Sequence, residues 1–96
     1  MIVEIQCLAN PAGTPDSPYA FIEAAIAVIQ ASGLKYEVSA LGTTFEGDPD
    51  EVWPVTRRVH EACLAAGARS VVSVVKFEQA TAAVPPTIES LTGKYR

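Results

Sequence analysis

The segment Gly33–Asp48, GLKYEVSALGTTFEGD, reads as two short strands joined by a tight turn. Apolar and polar side chains alternate on both legs, with Tyr36 and Val38 on the first leg and Phe45 on the second. This alternation is typical of strands that have one buried face. The hairpin decides the fold, because a helical pattern precedes it and another follows it.

The part of the chain before the hairpin predicts one strand and one helix. Ile2–Leu8 is rich in Val and Ile and is predicted to be the first strand. A loop rich in turn residues follows it. The first helix is predicted to begin with Ser17 as its cap and Pro18 at its first position, and to run to about Ser32, with Gly33 as the C-terminal stop.

The part after the hairpin repeats this order in reverse, with a helix and then a strand. The second helix is predicted to begin at Asp48, because acids in its first turn favour the helix dipole, and to run to about Ala66. Pro54 inside this pattern predicts either a kink or a later start of the regular helix. Ser70–Phe77 is predicted to be the fourth strand.

The predicted order is β-α-β-β-α-β. Two split βαβ units with right-handed crossovers give a four-stranded antiparallel sheet with both helices on one face, which is an α+β ferredoxin-like sandwich. Residues 1–96 are predicted to form a single domain, with a loop and a short helix or extended arm over residues 79–96. This fold serves many functions and by itself names none.

Composition excludes several functional classes. The chain has a net charge of −4, which is unlike the basic surface of a general nucleic-acid binder. Its beginning lacks the pattern of a signal peptide and no apolar run approaches the length of a membrane span, so we expect a cytoplasmic protein. His60 is the only histidine, and Cys7 and Cys63 are predicted to be buried thiols in a reducing compartment. We therefore expect no metal and no cofactor.

The apolar surface of the predicted elements indicates self-association. Glu23 is the only charged residue between Tyr19 and Ala31, so the first helix is apolar on most sides. A helix of this kind is buried on most sides. The first and fourth strands also carry apolar residues on both faces. These patterns predict a homo-oligomer in which sheets pack against sheets.

The hairpin brings two carboxylates to the face away from the core. A turn at Leu41-Gly42 places Glu37 directly opposite Glu46, where like charges repel. A register shifted by two residues keeps the same faces. Either register gathers Glu37, Ser39, Thr44 and Glu46 on one face. Such a patch can be a solvated edge that discourages aggregation, an acid–base pair, or a binding site for a cationic ligand. No nucleophile–base arrangement or glycine-rich phosphate loop accompanies it, so catalysis has no further support.

The strings SGLKYEV, GTTFEG, DEV and HEA, and a GA before a Val-rich strand, resemble the small thiamine-binding proteins, the YkoF-like one-domain relatives with a ferredoxin-like fold. The resemblance extends over nearly the whole chain. It implies a non-enzymatic binder of thiamine or its hydroxymethylpyrimidine moiety, assembled as a homotetramer. The positions that match the family's ligand motif are Glu37, Thr43, Thr44 and Glu46 in the hairpin, Thr14 and Ser17 in the loop before the first helix, and Tyr36 as an aromatic candidate.

The chemistry of thiamine agrees with this assignment. Its thiazolium carries a fixed positive charge, which carboxylates and aromatic faces attract, and its aminopyrimidine donates hydrogen bonds. The chain departs from the family where Leu41 replaces a common Met, and where the exit of the fourth strand, from Glu78, lacks basic residues. The alternative is a structural or regulatory homo-oligomeric module, in which the acids meet a Lys or Arg of a neighbouring subunit.

Overall fold

The computed structural model describes all 96 residues and contains four strands and three helices. The elements are β1 (Ile2–Asn10), α1 (Ala20–Ala31), β2 (Lys35–Ser39), β3 (Gly42–Glu46), α2 (Pro49–Ala66), β4 (Ser70–Glu78) and α3 (Ile88–Thr92), followed by a 3-10 turn over Gly93–Tyr95. None of the helices combines the length and the apolar composition needed to cross a membrane.

The strands form one antiparallel sheet in the order β2-β3-β1-β4. Helices α1 and α2 pack together on one face, so the predicted ferredoxin-like α+β fold is confirmed. The opposite face, called the open face below, carries the even-numbered residues of β1, β3 and β4 and the odd-numbered residues of β2. The short helix α3 lies on the open face, against β3.

The core fills the space between the sheet and the two long helices. The central strands contribute Val3, Ile5 and Phe45, and Val3 lies directly opposite Phe45. The residues that α1 and α2 bury there are Phe21, Ala25, Ile29, Val52, Val55, Val59 and Cys63. Their spacing of three or four residues places each set on one helix face, as expected for amphipathic helices.

The beginnings of the helices differ in how closely they follow the sequence signals. Helix α2 begins where predicted, because the side chains of Asp48 and Glu51 form a capping box. It continues through Pro54, so the alternative of a later start is wrong. Helix α1 begins at Ala20 rather than at Pro18. Ser17 does not cap it, because the residues before the helix form a separate turn.

The hairpin register corrects one prediction. Its turn is Ala40-Leu41 rather than Leu41-Gly42, and Glu37 therefore lies opposite Thr44 while Glu46 lies opposite Lys35. The two acids are on the same face but not directly across from each other. The observed register replaces an acid–acid pair by an acid–lysine pair, which is favourable across strands. The hydroxyl of Ser39 closes the turn by donating to the carbonyl oxygen of Gly42 at 2.9 Å.

Phe45 should be the costliest aromatic side chain to truncate, because it is fully buried between the helices and the central strand. We expect Phe45→Ala to lower the free energy of unfolding by about 3–5 kcal/mol, measured by urea denaturation. The matched control is Phe77→Ala on β4, because Phe77 is 40% exposed and stacks only on Trp53 at the surface. Equal losses in the two variants would contradict this description of the core.

Candidate functional site

The seven residues that the sequence analysis predicted as ligand contacts do not lie together in one place. Thr14 and Ser17 belong to the loop before α1, where Ser17 N–H donates to the Thr14 hydroxyl at 3.1 Å. Tyr36 and Thr43 lie on the helix-covered face of the sheet. The remaining three, Glu37, Thr44 and Glu46, lie on the open face. The nominated residues therefore divide between two faces and a loop.

The open face is acidic at one end. Four carboxylates project from it, on Glu4, Glu37, Glu46 and Glu78. Lys76 Nζ lies 3.5 Å from Glu4 Oε1, and both side chains are well exposed. Glu78 Oε1 is the one buried side-chain oxygen without a hydrogen-bond partner. This end of the sheet is thus the acidic patch that the hairpin sequence predicts.

The chain's own C-terminal segment partners the two hairpin acids. The backbone N–H of Ile88 donates to Glu46 Oε2 at 2.9 Å. The guanidinium of Arg96 pairs with Glu37 and also with Glu89, the latter at 2.8 Å. A charged carboxylate is stabilised by such partners. The acids therefore connect the segment from α3 to Arg96 to the open face.

A pocket of about 240 Å³ lies on the other face of the sheet, between α1 and the hairpin turn. It exists because the strands have unequal lengths. Strand β3 pairs with β1 only as far as Ile5–Thr43, whereas β1 continues to Asn10 beside β4. The side chains and backbone around it belong mainly to Ile5, Cys7, Tyr19, Ile22, Ala25, Ile26, Leu41 and Thr43.

The pocket is uncharged and offers few polar groups. None of its lining residues is acidic or basic. Thr43 is only 4% exposed and belongs to the lining of the pocket. Gln6–Asn10 of β1 lacks a strand partner on the β3 side, so backbone N–H and C=O groups are available along that edge. Tyr19, which is 67% exposed, stands at the rim. Such a site suits a small flat ring with a hydrogen-bonding edge.

The sequence did not point to Cys7, Tyr19 or the apolar side chains of α1 as lining a pocket. The available signal was the difference in length between the first strand and the legs of the hairpin. In an antiparallel sheet, a long strand beside a short one exposes part of its edge. The position of the exposed edge depends on the register, which the sequence left open between two alternatives.

The fold and pocket define a ferredoxin-like α+β protein with an opening of small-molecule size. The family model described as "Thiamine-binding protein" matches residues 3–95 of the chain. The chain therefore belongs to the thiamine-binding protein family, which confirms the resemblance seen in its sequence.

Relatives and solved structures agree with this membership. A UPF0045 protein of Clostridium perfringens is 33% identical over 78 residues, which cover 81% of this chain and 80% of that protein. A Bacillus cereus structure, described as the DUF77 domain of unknown function, superposes with a TM-score of 0.87 at 32% identity and covers 99% of this chain and 88% of its own. A Thermotoga maritima structure, provisionally assigned to thiamine biosynthesis or salvage, superposes with a TM-score of 0.72 at 26% identity, over 100% of both chains.

The C-terminal segment should be held more by apolar burial than by its terminal charge. Ile88 is 2% exposed, and we expect Ile88→Ala to lower the free energy of unfolding by about 2–5 kcal/mol. Arg96 and Glu37 are both partly exposed, so Arg96→Ala should cost less than about 1 kcal/mol. Urea denaturation measures both losses. A larger loss for Arg96→Ala than for Ile88→Ala would show that the ion pair holds the segment.

Proposed function

We propose that this protein binds thiamine or its hydroxymethylpyrimidine moiety, without converting it chemically, as a homo-oligomer. The observation that carries the proposal is the uncharged pocket that Thr43 helps to line, in a chain of the thiamine-binding family. The Thermotoga maritima neighbour, with its provisional role in thiamine biosynthesis or salvage, supports the same ligand class. None of the residues that line the pocket is acidic or basic, so the proposal is for binding alone.

The pocket suits the aminopyrimidine ring of thiamine. The ring is flat, and its faces can pack on Ile22 and Ile26 of α1. Its edge carries an amino group and ring nitrogens, which can pair with the hydroxyl of Thr43 and with the free backbone edge of β1. Few polar groups in a mostly apolar pocket fix the orientation of a ligand without a large desolvation cost.

The thiazolium ring belongs at the mouth of the pocket under this proposal. An unpaired charge inside an uncharged pocket is costly, whereas a cation over an aromatic face is favourable. Tyr19 provides such a face at the rim. Thr14 and Ser17, two of the predicted ligand residues, lie shortly before Tyr19 in the loop that leads into α1. A phosphorylated tail at thiamine's hydroxyethyl group would extend into solvent, where the chain offers no phosphate cradle.

The other predicted ligand residues can contact a ligand only if a neighbouring subunit brings one to them. Glu37, Thr44 and Glu46 are on the open face, and the two acids already have partners. They could contact the ligand of a neighbouring subunit if the open faces pack together. Tyr36, at the edge strand β2, could take part in the same way.

Exposed apolar residues support self-association. Leu8, Val72 and Val74 lie together on the open face and are each about half exposed or more. β4 is an edge strand, paired only with β1. Exposed edges and apolar sheet faces are surfaces that proteins cover by association. We propose that a second copy of the chain covers this surface, with a tetramer as the assembly that the family resemblance implies.

A second candidate function is an oligomeric module without a small-molecule ligand. It is favoured by one specific observation, namely that the hairpin acids are engaged by Arg96 and by the backbone of Ile88. On that alternative, the acids serve only to hold the C-terminal segment, and the pocket stays empty.

Titration of the ligand-free protein with thiamine, hydroxymethylpyrimidine and thiamine pyrophosphate distinguishes these candidates. We expect saturable rises in melting temperature with thiamine and with the neutral pyrimidine. A ligand at about a hundred times its Kd stabilises the fold by roughly 2.7 kcal/mol, which differential scanning fluorimetry detects readily. No shift with any of the three would overturn the binding proposal in favour of the module.

Substitution of two neighbouring threonines tests which face of the sheet binds the ring. Thr43 faces the pocket and Thr44 faces the acids, and Thr→Val removes a hydroxyl without changing the size of either side chain. We expect Thr43→Val to weaken pyrimidine binding by roughly tenfold, the value of about one hydrogen bond, and Thr44→Val to leave the Kd unchanged in calorimetry. The reverse result would move the site to the acidic face, and a loss of binding in Glu37→Gln/Glu46→Gln would then confirm it.

A further inference from the structure

A chain of polar side chains connects α2 to β1 beneath the pocket. His60 Nδ1 lies 2.5 Å from the hydroxyl oxygen of Ser73 on β4. The same hydroxyl donates to the sulfur of Cys7 at 3.6 Å, and Cys7 and Ser73 are direct cross-strand neighbours. All three residues are half-buried. This chain, His60–Ser73–Cys7, is called the thiol relay below, and nothing in the binding of thiamine uses it.

The second cysteine lies behind the first. Cys63 of α2 is fully buried in the core cluster, and Cys7 packs against that cluster. Burial, together with the neighbouring Cys7, raises the pKa of Cys63 to about 11. Cys63 is therefore a neutral thiol near pH 7. Cys7, in contrast, lines the pocket and is accessible from it.

We propose that Cys7 is a reactive thiol that a hydroperoxide oxidises through the pocket, and that Cys63 then forms a disulfide with it. The assignment of roles follows from access and hydrogen bonding. Cys7 meets solvent at the pocket and receives a hydrogen bond from Ser73, which stabilises negative charge on its sulfur. Cys63 has neither feature, because it is fully buried in the core cluster against which Cys7 packs.

The thiol relay provides the first proton transfer. The hydroxyl of Ser73, which donates to Cys7 in the structure, first turns towards His60 Nδ1. Its proton then passes to Nδ1, while the proton of Cys7 passes to the oxygen of Ser73. The resulting imidazolium donates to Ser73, and Ser73 donates to the thiolate, which is the direction of the hydrogen bond in the structure. A positioned relay of this kind accepts the proton of the thiol as its sulfur reacts.

Oxidation of Cys7 and formation of the disulfide then follow as two steps. The thiolate sulfur attacks one oxygen of the hydroperoxide and breaks its O–O bond, which gives a sulfenic acid on Cys7. The proton held by His60 neutralises the leaving oxygen. The leaving group is an alcohol, or water when the oxidant is hydrogen peroxide. The sulfur of Cys63 then attacks the sulfur of Cys7, and the hydroxyl group leaves as water with the proton of Cys63. Both cysteines are oxidised by one electron each, and the hydroperoxide is reduced by two.

Hydrogen peroxide and intact-mass spectrometry test the roles of the two cysteines. The folded protein should lose two hydrogen atoms per chain as the disulfide forms. Cys63→Ala should instead accumulate a sulfenic acid on Cys7 that dimedone traps, and Cys7→Ser should leave Cys63 unoxidised. Trapping of Cys63 in Cys7→Ser, or a reduced wild-type chain under conditions that oxidise free cysteine, would overturn the proposal.

The relay itself is tested through Ser73. We expect Ser73→Ala to slow the oxidation of Cys7 by about a hundredfold, the lower end of what positioned proton transfer contributes. Ser73→Thr keeps the hydroxyl and should restore most of the rate. Ser70→Ala, an exposed serine on the same strand, is the matched control. A wild-type rate in Ser73→Ala would overturn the relay, and so would equal slowing in Ser73→Thr at an unchanged melting temperature. None of these readouts depends on thiamine binding, so the two proposals fail separately.

Discussion

The pairing of Val3 with Phe45 is the constraint on which the rest of the structure depends. Both side chains are fully buried, and they lie opposite each other on the two central strands. A slip of one residue in this pairing would turn Phe45 out of the core and bring Thr44 and Glu46 in. The pairing therefore fixes, along one short strand, that Thr43 faces the helices and that Thr44 and Glu46 face the opposite side.

Both functional features of the sheet follow from that register. On the helix-covered face, β3 ends at the turn while β1 continues, and the missing strand length leaves the pocket. On the open face, Glu46 is held where the backbone of Ile88 can reach it, 42 residues further along the chain. One hairpin thus provides an uncharged opening on one face and the attachment of the C-terminal segment on the other.

The sequence predicted the order of the elements and the faces of the hairpin, because both depend on local periodicity. It did not settle the register, since two registers that differ by two residues place the same side chains on the same faces. Lys35 distinguishes them by pairing with Glu46, and that pairing is visible only once the strands are aligned. The partners of Glu37 and Glu46 could not be predicted from the sequence, for a different reason. Arg96 and Ile88 lie far away in sequence, and their docking depends on tertiary packing rather than on a local pattern.

The structure also changes which physical effect should drive ligand binding. The hairpin sequence alone indicates a cationic ligand for the acids, because it shows no partner for them. With Arg96 on Glu37, a ligand cation would replace one partly exposed ion pair by another, and such pairs contribute no more than about 1 kcal/mol. Burial of a flat ring contributes about 25 cal/mol for each Å² of apolar surface removed from water, so a ring that fills the pocket gains more than an exchange of cations does. Under the proposal that the chain binds thiamine, the neutral pyrimidine rather than the charged thiazolium is the part that the pocket of a single chain would hold.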